Sequence, residues 1–100
     1  MIHEREVSVA ADHPAFAGHF PGRPILPGVV LLGWAVQTLG EVLGDPLPAC
    51  EIASAKFLRP VGPGTKLSIR LAGQPGGPWR FDILDGDWPV ATGSLRASQA

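Results

Sequence analysis

One hundred residues with eight lysines and arginines against nine aspartates and glutamates carry a net charge of −1, which excludes the basic footprint of a nucleic-acid-binding protein. One cysteine, Cys50, excludes an internal disulfide and suits a reducing compartment. The charged opening His3-Glu4-Arg5-Glu6 is unlike a cleavable apolar leader, so a soluble cytoplasmic protein with no membrane span is expected.

Thirteen glycines and eleven prolines punctuate apolar runs without forming a low-complexity tract. That pattern predicts short elements joined by tight turns, in one domain covering residues 1–100. From Arg5 to Ala10, Val7 and Val9 alternate with Glu6 and Ser8, which predicts a first strand. Asp12-His13-Pro14 breaks it. Phe16 and Phe20 flank Ala17 and Gly18 in a loop expected to pack, and Pro21, Pro24 and Pro27 stiffen its path.

A long apolar segment begins at Pro27-Gly28. From Val29 to Leu43 it has one formal charge, Glu41, and no proline. Its apolar residues surround the helix axis, and it is shorter than the roughly 20 residues a membrane span needs. A buried helix wrapped by other elements is expected, ending near Gly44. Gln37, among apolar neighbours, would then need a hydrogen-bond partner.

Beyond Pro48 the pattern is that of strands. Glu51–Arg59 is followed by the stop Pro60-Val61-Gly62-Pro63-Gly64. Thr65–Ala72 places Leu67, Ile69 and Leu71 on one face. Pro75-Gly76-Gly77-Pro78 turns the chain into Trp79–Ile83, and Asp85-Gly86 signals a hairpin into Trp88–Arg96. The sum is an α+β chain in which a four-strand antiparallel meander curls around one helix. Such a sheet leaves edges and a face to cover, so a homodimer is expected.

The run Gly18-His19-Phe20-Pro21-Gly22-Arg23-Pro24-Ile25-Leu26-Pro27-Gly28-Val29, followed by a helix containing Gln37, resembles the signature of the hot-dog-fold 3-hydroxyacyl-[acyl-carrier-protein] dehydratases. Leu26-Pro27-Gly28-Val29 with Trp34-Ala35 is closest to the arylpolyene-cluster type. Lys56-Phe57-Leu58-Arg59-Pro60-Val61-Gly62-Pro63-Gly64 is similar to the family's F-x-R-P-V-x-P-G strand and turn, and Asp85-Gly86 with Val90-Ala91 to its final hairpin.

The resemblance implies a hot-dog fold, an antiparallel sheet wrapped around one long central helix, paired as a double hot dog. It implies a lyase that removes water from a 3-hydroxyacyl thioester on an acyl carrier protein, in fatty-acid or polyene synthesis and with no cofactor. By motif position His19 is the base, since histidine titrates near the working pH. The Gly28 N–H, at the positive end of a helix, is the donor to the thioester carbonyl. Phe20, Pro27, Val29, Gly33 and Trp34 are expected to line the acyl site.

One position departs from the pattern. The family's acid stands on the helix fourteen residues after the histidine, where it reaches the partner subunit's histidine; here that residue is Gly33. Glu41 lies about 12 Å further along the helix, leaving Asp12, His13, a water or a different partner chain as sources of the proton. The alternatives are a non-catalytic acyl-binding or partner subunit of a heteromeric dehydratase, and an acyl thioesterase. Arg23, Lys56, Arg59, Lys66 and Arg80 are candidates for a basic rim facing an acidic carrier. The histidines lack metal-ligand spacing, so no metal is expected.

Overall fold

The computed structural model describes residues 1–16, 25–45 and 49–97. His19, Phe20 and Arg23 lie outside the described residues. The elements are β1 (Ile2–Ser8), a 3-10 turn (Pro14–Phe16), α1 (Gly28–Leu43), β2 (Cys50–Phe57), β3 (Lys66–Gly73), β4 (Pro78–Asp85) and β5 (Trp88–Ala97). β1 starts three residues earlier than its alternation suggested, because pairing with β3 extends through Ile2↔Ala72.

The five strands form one antiparallel sheet in the order β1-β3-β4-β5-β2. The expected four-strand meander is therefore correct only for β3-β4-β5. β2 pairs with β5 at the far edge, and residues 58–65 cross one end of the sheet to reach β3. Backbone hydrogen bonds hold this crossing: Leu58 N–H donates to the Val90 carbonyl (2.8 Å), Leu26 N–H to Val61 (2.8 Å) and Gly64 N–H to Val9 (2.9 Å). Val61 is buried at its centre.

The inner face of the sheet carries Leu67, Ile69 and Leu71 of β3, Trp79, Phe81 and Ile83 of β4, and Ala91 and Leu95 of β5, all buried. Leu31, Ala35, Thr38 and Leu39 of α1 are also buried, at the spacing of one helix face. Thr38 is accommodated there because its hydroxyl donates to the Trp34 carbonyl, 2.7 Å away. Gly93 pairs with Phe81, whose ring would stand 2.7 Å from a Cβ on the glycine, so the absent side chain admits the ring.

The helix is less wrapped than its composition suggested. Val29, Gly33, Gln37 and Glu41 form an exposed stripe at four-residue spacing, and Val29 is 73% exposed. Gln37 accordingly needs no buried partner. Glu41 lies 3.6 Å from both His3 and Arg5, tying the end of α1 to β1. The helix ends as expected at Gly44, whose left-handed conformation lets Asp45 N–H bond back to the Gly40 carbonyl (2.9 Å). β4 and β5 are joined by the expected tight turn, with Gly86 at φ 61°.

Candidate active site

The start of α1 leaves backbone donors without partners among the described residues. Pro27 precedes it in an extended conformation (φ −61°, ψ 143°) and supplies no side-chain cap. The first N–H groups of a helix have no intrahelical acceptor, and they concentrate its positive partial charge. Val30 N–H uses the Pro27 carbonyl at 3.0 Å. Among the described residues, no hydrogen bond engages the N–H of Gly28 or Val29.

Beside this end lies a groove of about 560 Å³, lined by Ile25, Leu26, Gly28, Val29 and Leu31 on one side and by Phe57, Leu58, Arg59 and Pro60 on the other. Its size falls within the range that takes small-molecule ligands, and its walls are mostly apolar. It exists because the crossing after β2 runs past the helix start: the backbone between Phe57 and Val61 forms the second wall. The Phe57 ring stands over Gly28, 2.7, 2.8 and 3.1 Å from where a Cβ would be.

Of the residues expected from the sequence, Gly28 and Val29 line the groove and Pro27 leads into it. Gly33 lies one turn along the exposed stripe, and none of the described residues comes within 4 Å of a Cβ built there. No contact among the described residues therefore requires glycine at 33. Gly40, seven residues on, is buried, so the two glycines do not share one environment. Trp34 is half-buried and packs against the core. His13 stands edge-on to its ring at 6.1 Å and to that of Phe16 at 6.2 Å, which brings one of the candidate proton donors to the helix turn beyond Gly33. Glu41 is engaged with His3 and Arg5.

Of the five basic-rim candidates Arg23 lies outside the described residues, and the other four separate. Lys66 pairs with Glu6 (3.5 Å) and Arg80 with Asp82 (3.1 Å) on the outer face of the sheet, where Lys56 also lies. Arg59 is the one of these four that lines the groove. Burial pushes the Cys50 thiol up, which agrees with an inert side chain. No cluster of three metal-ligating side chains occurs among the described residues, and no described helix is long and apolar enough to cross a membrane.

Residues 2–94 match the family model described as ApeI-like, ApeI dehydratase. The chain belongs to this family. Among similar proteins, the 3-hydroxyacyl-[acyl-carrier-protein] dehydratase FabZ of Roseobacter denitrificans is 40% identical over 87 residues, covering 74% of this chain and 57% of that protein. The chain thus spans little more than half the length of that relative. A chain of the dehydratase heterocomplex ApeI:P from Xenorhabdus doucetiae superposes with a TM-score of 0.77 at 24% identity, covering 98% of this chain and 88% of that one. The fluoroacetyl-CoA thioesterase FlK superposes at 0.75 with 15% identity, over 97% of this chain and 85% of that one. These likenesses establish the hot-dog fold, and the two names, a dehydratase and a thioesterase, show that the fold serves more than one chemistry.

In this ApeI-like chain the groove residue missed by the sequence reading is Phe57, while Arg59 was named only as one of five basic-rim candidates. Both stood in a motif read as strand and turn. An aromatic residue at the end of a strand, just before the Pro/Gly stop, was the available signal, and it needed the crossing to give it a position.

Proposed function

We propose that this chain is a 3-hydroxyacyl-acyl-carrier-protein dehydratase, acting on an acyl chain held by the carrier's phosphopantetheine arm in fatty-acid or polyene synthesis. The observation that carries this reading is the start of α1, where among the described residues the N–H groups of Gly28 and Val29 have no hydrogen-bond partner and where both residues line an apolar groove. A thioester carbonyl set against the Gly28 N–H gains a donor and the positive end of the helix, and both act most strongly when negative charge collects on that oxygen. His19, six residues before the groove residue Ile25, takes the proton from the carbon beside the carbonyl. The C–O bond to the 3-hydroxyl then breaks, the enolate electron pair forms the double bond, and the hydroxyl leaves as water once protonated. Its proton comes from His13, Asp12, a water or a partner chain, since Gly33 has none to give.

The active form is a dimer. β2 is an exposed edge strand, and Ile52, Phe57 and Leu58 on or after it are 44%, 49% and 46% exposed. An unpaired edge with apolar residues beside the exposed helix stripe is the surface that a second copy covers.

The open space at Gly33 favours a second reading, a subunit that acts only beside a homologue bearing the acid. Hydration of an enoyl-carrier thioester, followed by loss of ultraviolet absorbance, separates the two. Turnover by the chain alone, abolished by His19→Ala, establishes the homomeric enzyme. Absence of turnover across chain lengths, restored by Gly33→Glu, favours a degenerate or obligately paired subunit. Release of free thiol in place of hydration would overturn both in favour of a thioesterase.

A further inference from the structure

Arg59 combines three features that no other described cation shares. Among the described residues it is the one basic residue that lines the groove at the start of α1. Its guanidinium carbon lies 4.5 Å from the ring centroid of Trp88, which is 63% exposed. No carboxylate is paired with it among the described residues, whereas Arg5, Lys66, Arg70 and Arg80 each have one within 4 Å. Lys56 lies on the other side of the sheet, and Arg96 faces Glu51 across the β2–β5 pair.

The stack is built by the fold. The Val90 carbonyl accepts from both Leu58 N–H (2.8 Å) and Arg59 N–H (3.3 Å), and Trp88 stands two residues before Val90 on β5. One strand thus fixes the Arg59 backbone and also supplies the aromatic platform. A guanidinium drawn to a ring by cation–π attraction still has N–H donors to offer, and their fork matches the oxygens of a phosphate.

We infer that Arg59, seated on Trp88, binds the phosphodiester of the carrier's pantetheine arm and so sets how the thioester enters the groove. This rests on the thioester reading above and adds the group that recognises the arm. The same groove then has an anion site at one wall and the helix N–H groups at the other, with apolar residues between them. That order matches a ligand with a phosphate at one end and an acyl thioester at the other.

The test is calorimetric binding of butyryl-phosphopantetheine and butyryl-pantetheine, saturated thioesters that cannot be dehydrated, to the intact protein. The native chain is expected to favour the phosphorylated arm by roughly tenfold, the scale of a charge-assisted hydrogen bond. Arg59→Ala should erase that preference, Arg59→Lys should keep part of it, and Trp88→Leu should reduce it by loosening the guanidinium. Equal binding of both arms by the native chain would overturn the inference while leaving the thioester reading standing. An Arg59→Ala defect seen only with the whole carrier protein would overturn it in favour of the carrier's carboxylates. Binding of neither arm would overturn the thioester reading and this one with it.

Discussion

The Phe57 ring covers Gly28 so closely that a methyl group on the glycine would meet it at 2.7 Å, which makes a strand-end aromatic the lid of the helix N-terminus. Gly28→Ala should therefore displace the ring and obstruct the carbonyl site, lowering kcat/KM by about tenfold or more, which corresponds to 1.4 kcal/mol. The fold should tolerate it, because Phe57 is half-exposed on an edge strand and can swing aside. In Gly28→Ala/Phe57→Ala the glycine substitution should cost much less than it does alone, as coupled neighbours do. Native rates in Gly28→Ala would remove the start of α1 from the chemistry.

Gly33 offers a cleaner stability measurement. With none of the described residues within 4 Å of its missing side chain, Gly33→Ala should stabilise an isolated chain by roughly 0.5–1 kcal/mol through helix propensity alone. For a protein of this size that is a rise in melting temperature of about 2–8 °C. A fall would mean that a second subunit packs against the glycine.

The exposed edge makes a prediction about assembly. Size-exclusion chromatography should find the native protein at twice the chain mass. Ile52→Lys places a charge among the apolar residues of β2, on a strand already exposed along its length, and should return the protein to the single-chain mass. Dimers persisting unchanged in Ile52→Lys would move the interface elsewhere.

Asp82 gives the outer face a pH dependence. Burial alone would raise its carboxyl, but hydrogen bonds from Arg80 and Thr92 and the charges of Arg80 and Arg70 outweigh this and hold it below the ordinary 3.8. A carboxyl depressed in the folded state stabilises the protein above its unfolded value, and that contribution is lost as pH falls through the folded value. The native chain should therefore lose part of its stability below about pH 4, and Asp82→Asn should lose less over the same interval. Urea midpoints at pH 3 and pH 7 measure the difference. An unchanged slope in Asp82→Asn would show that the Arg80–Asp82 pair is too solvent-screened to matter.

The sequence by itself determined the local elements, because their causes are local. Alternation in Lys66–Gly73 and in Pro78–Asp85 placed Leu71 and Phe81 on buried faces, Gly44 ended the helix, and Asp85-Gly86 turned the last hairpin. The twelve-residue run around His19 and the motif at Phe57–Gly64 carried the family. Only the tertiary structure decided that β2 lies beside β5, because both faces of β2 are exposed within the chain and its alternation specifies no neighbour. The same crossing brought Phe57 over Gly28 and Arg59 onto Trp88, contacts between residues about thirty apart that no local pattern encodes. The helix shows the converse. Its apolar residues on every side promised a buried cylinder, yet one chain covers only the face at Leu31, Ala35 and Leu39 and leaves Val29 and Gly33 open, because a five-strand sheet presents a single inner face.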